Sequence, residues 1–327
     1  MNTGKSLKHL SQKIEINSNS LEIKNQGADN KTASNLSNLN KTSDNSNKVF
    51  DNDLLKFMQL LEALRLMKSF KDTPYKLEVR KNLSYKTFLD KYLSENRPVV
   101  LKEMINDWPA LQKWSPAYLK ENYGSVEIEV MFGRKNESDY EKNRDKLRTK
   151  VKVKDFIDLI LTDGNNCYLT ANNEALRKTP LKSLLNEIKF IPKYIDLDSQ
   201  GAIKLWVGGK GTITPLHHDN TNILLVQVYG EKLVKLIPST QQHLVYPDGY
   251  YSLIDFKNMN FEKYPLLKKA TILEVILKPG DILFIPIFWW HYVESTTSSI
   301  SLSFLNISQN IVVKGSEILL INSNERK

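Results

Sequence analysis

The sequence predicts a mainly β fold, a sandwich or barrel, with helices placed ahead of it. Two observations carry this. From Cys167 onward, short apolar runs rich in Val, Ile and Leu alternate with turn signals at Gly208-Gly209, Gly230-Glu231, Pro247-Asp248-Gly249 and Pro279-Gly280-Asp281. Short strands at such spacing build sandwiches or barrels. Before that point, apolar residues recur at helical spacing instead.

Taken in order, residues 1–49 are dominated by Asn, Ser and Lys, and no period of two or of a helical turn persists among their few apolar residues. Such a composition buries too little apolar surface to offset the entropy of ordering, which predicts a disordered tail. Residues 50–327 read as one domain, with a helical part over about 50–165 and a barrel core over about 166–310. Asp51-Asn52-Asp53 offers helix caps ahead of Leu54, Phe57, Met58, Leu61 and Leu64. A second helix starts at Ser84, with Phe88, Leu89, Tyr92 and Leu93 on one face, and Arg97-Pro98 ends it. Val99-Val100-Leu101 reads as a short strand, and Trp108, Trp114 and Tyr118 as packing aromatics. The stretch from Gly133 to Lys150 is almost wholly polar and reads as a solvated loop or insertion. Asp155 to Leu161 reads as a short helix. No internal repeat is present.

The bulk properties exclude some classes. Lys and Arg number 46 against 37 Asp and Glu, a net charge of +9, with the lysines spread along the chain. A solvated basic surface accounts for this; an acidic partner gains modest support and nucleic acid weak support. With Cys167 the single cysteine, an intramolecular disulfide is impossible, which fits a reducing compartment. No apolar run reaches the ~18–20 residues that span a bilayer. No basic head with an apolar segment opens the chain, and no Arg precedes Arg65. The expectation is a soluble, cytoplasmic protein with no membrane partner.

The chemistry concentrates around two histidines and an aspartate. His217 and Asp219 lie two apart, ahead of the apolar run Ile223 to Tyr229. In an extended chain such residues share a face, while His218 points the other way. His291, following the Pro279-Gly280-Asp281 turn and the apolar run Ile282 to Ile287, is the best third ligand. Two histidines and one carboxylate on one face of an iron leave positions open for a bidentate co-substrate and O₂, as a closed tetrahedral zinc site does not. A lone His-x-Asp is common by chance; the flanking residues raise its weight. His9 and His243 have no such surroundings. Lys232 shares a strand face with Val234 and Leu236, and a lysine on an apolar face needs an anionic partner or loses its charge. The competing reading is a surface lysine with a snorkelling stem.

The run Gly211-Thr212-Ile213-Thr214-Pro215-Leu216-His217-His218-Asp219, with Gln227-Val228-Tyr229-Gly230-Glu231-Lys232 after it, resembles the jumonji-C hydroxylases of the cupin-like type. So do Lys278-Pro279-Gly280-Asp281-Ile282-Leu283-Phe284-Ile285-Pro286 with Trp289-Trp290-His291-Tyr292-Val293-Glu294-Ser295, and the earlier Arg97-Pro98-Val99-Val100-Leu101 with Asp107-Trp108-Pro109-Ala110 and Trp114-Ser115. The resemblance runs from about residue 75 to 306. It implies a double-stranded β-helix, a jelly-roll barrel, with Fe(II), 2-oxoglutarate as co-substrate and O₂. It places His217, Asp219 and His291 as iron ligands, and Thr214, Lys232 and Tyr168 around the distal carboxylate of 2-oxoglutarate. Ser303, in the alternating Ser299-Ser301-Ser303 series, stands where relatives put a small polar pocket residue. One departure concerns the family's Asn near the co-substrate. Its place is taken by Ile223, with Asn222 one position earlier, and which of the two lines the pocket stays open.

The implied activity is hydroxylation of a protein or peptide side chain. RNA hydroxylation (a tRNA base), N-methyl-lysine demethylation and a non-catalytic cupin-like binding module are the alternatives. Little sequence follows Asn306 and it holds no long amphipathic helix. Relatives that dimerise often do so through C-terminal helices, so a monomer is expected.

Overall fold

A computed structural model describes residues 76–170, 173–189, 194 and 203–305, with the backbone of strands 311–314 and 317–320. The expected tail over 1–49 and the helix expected from Leu54 lie outside the described residues.

The first strands are β1 (Glu78–Lys81), β2 (Val99–Lys102), β3 (Glu127–Phe132), β4 (Arg148–Lys152), β5 (Cys167–Leu169) and β6 (Ile203–Gly208). Then come β7 (Ile213–His217), β8 (Ile223–Tyr229), β9 (Lys232–Ile237), β10 (Pro247–Asp248) and β11 (Tyr251–Ser252). The last of the barrel are β12 (Leu273–Leu277), β13 (Ile282–Ile285), β14 (Trp290–Ser295) and β15 (Ser299–Phe304). The larger sheet runs β1-β2-β13-β8-β15-β6-β5-β3-β4 and the smaller β10-β11-β7-β14-β9-β12. Sequence neighbours fall in opposite sheets, as with β7 and β8 or β13 and β14, which is how a jelly roll winds. The β1–β2 pair is parallel; the pairs that build the barrel are antiparallel.

The main core lies between the sheets. Ile223, Leu225, Leu283 and Ile285 from the larger meet Val234, Leu236, Leu277 and Val293 from the smaller. β9 alternates buried and half-buried residues as a one-sided strand does, whereas six of the seven residues of β8 are buried because both faces of that central strand are covered. The turn between them needs Gly230, which has φ 69°. A Cβ there would stand 2.0 Å from the Ser298 carbonyl oxygen, so any other residue would push Lys232 and its strand out of place.

Ahead of the barrel, Ser84 caps a helix as expected: its hydroxyl accepts from Thr87 N–H at 3.2 Å. Tyr85–Phe88 continues into a wider turn, Leu89–Leu93, that buries Tyr92. The helix Val153–Asp163 buries Val153, Phe156, Ile157, Leu159 and Ile160 on one stripe. This N-terminal part is not only helical, since β1 to β4 all join the larger sheet.

The stretch from Gly133 to Lys150 is largely exposed or half-buried, as expected, but it is not a plain loop, because it forms two short helical turns and buries two charged residues. Arg134 is 1% exposed and Glu141 6%, and the segment ends in β4, which pairs with β3. Arg134 lies 4.2 Å from the Tyr140 ring and 5.0 Å from the Tyr168 ring. It donates to the Ile213 carbonyl and, at 3.2 Å, to Glu141. Polar composition was misleading because the charges neutralise each other and aromatic faces cover the cation. The guanidinium thereby closes the edge of β7 against the larger sheet. Replacing Arg134 with Ala strands Glu141 and the Ile213 carbonyl, and should cost about 3–5 kcal/mol in a denaturant titration. Lys135→Ala, which removes an exposed pair with Asp163, should cost no more than about 1 kcal/mol.

Candidate active site

β7 ends at His217, and β14 places His291 directly opposite it across the ladder. Asp219 follows on the loop into β8. Its Oδ2 lies 3.7 Å from His217 Nε2 and 3.5 Å from His291 Nε2, and the two ring centroids are 4.1 Å apart. One ligand atom from each of the three lies within 4.8 Å of the others. His217 Nδ1 sits 2.8 Å from the Pro215 carbonyl oxygen and His291 Nδ1 3.0 Å from that of Trp289. A carbonyl oxygen can only accept, so the hydrogen-bond network assigns the proton of each neutral ring to Nδ1 and leaves Nε2 bare toward Asp219.

Burial and the neighbouring His291 push the His217 imidazole down to about 4. Burial opposes the charge on Asp219, but the His291 ring with His217 and His218 holds its carboxyl below the usual range. With each Nδ1 on a carbonyl, the two Nε2 atoms and the Asp219 carboxylate face one another as a set of ligand atoms that one cation can share. The Asp219 side chain is 45% exposed against 13% and 5% for His217 and His291, so the cluster opens on its carboxylate side. Two imidazoles, one carboxylate and an open side suit Fe(II) as the donor set of an oxygenase. His218 turns away, as its place in the sequence suggests. Its ring packs among Trp290, Tyr250 and Phe288 with centroids at 4.8, 5.4 and 5.9 Å.

A second polar group lies inside the barrel. Lys232 is 1% exposed and shares the inner face of β9 with Val234 and Leu236. No ion pair reaches it among the described residues. Its nearest polar contact is the Tyr168 hydroxyl at 3.5 Å, the outer limit of a hydrogen bond. Burial pushes the Lys232 ammonium down to about 7. Thr214, 8% exposed, stands within hydrogen-bonding reach of the Tyr168 phenol. Tyr168, Thr214 and Lys232 therefore form one cluster of buried hydroxyl and ammonium groups with no carboxylate among them.

Ser303 also faces the interior, but its hydroxyl accepts from Trp206 Nε1 at 2.9 Å. It holds the indole that flanks Tyr168 at 5.9 Å between ring centroids, and no hydrogen bond joins it to the Tyr168–Thr214–Lys232 group among the described residues. Of the two residues left open, Asn222 accepts from Ile287 N–H at 2.8 Å and Ile223 packs in the inter-sheet core.

Several contributors escape a reading of the sequence. Arg134 flanks Tyr168 from a segment that looked solvated. Tyr251 pairs with His217 across β11–β7 and stacks on its ring at 5.8 Å. Gln227, 0% exposed, donates to the carbonyls of Tyr229 and Gly230 at 2.7 and 2.9 Å and so braces the turn that aims Lys232. A lone Gln in the apolar run Ile223 to Tyr229 was the one signal available for it.

Residues 85–312 match the family model of the cupin-like domain. The chain is 33% identical over 232 residues to lysine-specific demethylase 8 of Xenopus tropicalis, which covers 68% of this chain and 50% of that protein. It is 31% identical over 259 residues to lysine-specific demethylase JMJ30 of Arabidopsis thaliana, 76% of this chain and 58% of that one. It is 30% identical over 233 residues to tRNA wybutosine-synthesizing protein 5 of Gallus gallus, 66% and 72%. The chain spans about half to three fifths of the length of the two demethylases. Enzymes of this family use Fe(II), 2-oxoglutarate and O₂, the reagents that the two polar groups of the barrel fit. The chain belongs to the cupin-like, jumonji-C family of Fe(II)- and 2-oxoglutarate-dependent oxygenases.

Proposed function

We propose that this chain inserts one oxygen atom into a C–H bond of a protein or peptide side chain, with Fe(II) held by His217, Asp219 and His291. The observation that carries the reading is the convergence of their three ligand atoms within 4.8 Å, open on the Asp219 side. Bound Fe(II) supplies O₂ activation coupled to decarboxylation of 2-oxoglutarate to succinate and CO₂. The chain's own residues do the rest. Lys232, Tyr168 and Thr214 hold the distal carboxylate of 2-oxoglutarate, and burial makes that charge pair strong. Ser303 acts at one remove, by fixing Trp206. The carbonyls of Pro215 and Trp289 orient both imidazoles.

A polypeptide substrate is favoured because two of the relatives are named for lysine demethylation. Removal of an N-methyl group starts from the same oxygen insertion, at the methyl carbon, and ends in release of formaldehyde. Demethylation is therefore the second reading. The tRNA-modifying relative and the net charge of +9 support RNA as a third. No helix among the described residues is long and apolar enough to cross a membrane; we place the protein in the cytoplasm on its sequence composition alone.

The test is to incubate the protein with Fe(II), 2-oxoglutarate and O₂ against peptide and RNA pools, following succinate and product mass. Peptides that gain one oxygen in step with succinate support the proposal. Loss of a methyl group with formaldehyde moves it to demethylation, a gain on RNA moves it to a nucleic-acid substrate, and absence of succinate contradicts it. Lys232→Ala should leave Mn(II) affinity near that of the parent while weakening 2-oxoglutarate binding by about 30- to 4000-fold, the effect of truncating one partner of a buried charge pair. Unchanged 2-oxoglutarate dependence would remove Lys232 from the pocket.

A further inference from the structure

The loop that delivers His291 is tied to the segment that delivers Asp219 beyond the end of the β8–β13 ladder. The ladder's last pair is Ile285 with Ile223. Past it, Asn222 Oδ1 accepts from Ile287 N–H at 2.8 Å, and the Asp219 carbonyl accepts from Phe288 N–H at 2.9 Å. A tight turn follows, closed by Trp289 N–H on the Pro286 carbonyl at 3.2 Å. Phe288, its third residue, has φ 67°, in the left-handed region that glycine fills in such turns. A bulky aromatic persists there only where its surroundings over-determine it. Those surroundings are on view: its ring meets His218 edge-on at 5.9 Å, and the neighbouring Trp289 indole donates to the Asn96 carbonyl at 2.9 Å. Asn222 and Phe288 are 5% and 8% exposed, so both bonds are shielded from water.

We propose that Asn222 and Phe288 form a positioning clamp, which locks the turn at 286–289 onto the Asp219 segment and holds His291 Nε2 at its distance from Asp219 before a metal binds. Asp219 stands on the loop that crosses from β7 of the smaller sheet to β8 of the larger, whereas His291 stands on β14. Without the two bonds, the turn's left-handed residue would relax and the Asp219 loop would lose its tie to the segment that carries His291, and the metal would have to bear the cost of ordering that loop. The clamp rests on the reading that His217, Asp219 and His291 hold the metal. It also gives Asn222 a use: its amide oxygen is spent on the loop rather than on the co-substrate.

The test compares Mn(II) affinity, by calorimetry, of the parent, Asn222→Ala and Asn173→Ala. Asn173 is a matched control, 6% exposed, donating to the Thr170 and Leu205 carbonyls at 2.6 and 2.8 Å and remote in sequence from the triad. Asn222→Ala should bind Mn(II) about 10- to 100-fold more weakly, the usual effect of losing a group that orients a ligand, while Asn173→Ala lowers thermal stability and leaves the affinity alone. Parent-like affinity in Asn222→Ala, or equal weakening in both variants, overturns the clamp. Amide hydrogen exchange in the metal-free parent needs no variant. Ile287 and Phe288 should be protected, and free exchange that slows only on adding Mn(II) overturns the proposal. Failure of the parent itself to bind Mn(II) overturns the metal-site reading and the clamp with it.

Discussion

The antiparallel pairing of β7 with β14 sets His217 opposite His291, and the rest of the site is arranged around that pair. The register is broken between His291 and Val293, so the ladder can aim both imidazoles inward and still bring Thr214 opposite Val293, beside Tyr168. One strand thus supplies a residue to each end of the interior: His217 at the mouth and Thr214 farther in. Arg134 covers the outer edge of the same strand by donating to the Ile213 carbonyl and to Glu141, and β14 pairs with the strand's other side.

The two polar groups of the barrel are electrostatic opposites. Three lone-pair donors with one negative charge meet at the mouth, and a buried ammonium with no carboxylate lies inside. Each is costly alone, because burial disfavours an uncompensated charge. A cation at the mouth and a dicarboxylate reaching from it to Lys232 would relieve both. On the proposed function, that complementarity would account for the place of Lys232 on an apolar face.

Much of this was legible in the sequence because it is written locally. Strand alternation around Lys232-Val234-Leu236, the His217-x-Asp219 spacing, the capping Ser84 and the turn glycines each act over a few residues, where period and turn chemistry decide. What was not legible depends on partners distant in the chain. Arg134 looked solvated because its own segment is polar, while the Tyr168 ring and the Ile213 carbonyl that cover it come from β5 and β7. Ser303 was assigned to the co-substrate through the resemblance; that its hydroxyl accepts from Trp206 is a contact between neighbouring strands, which spacing along one strand does not contain. Asn222 and Phe288 act through backbone groups of another loop, and side-chain type alone does not announce a left-handed phenylalanine.

The most direct measurement is an anaerobic titration of the protein with Fe(II) and 2-oxoglutarate, followed by visible absorption. The account predicts a weak charge-transfer band that saturates at one Fe(II) per chain and is absent from the folded His291→Ala variant. A folded parent protein that gives no band, or a variant that gives the same one, would contradict it.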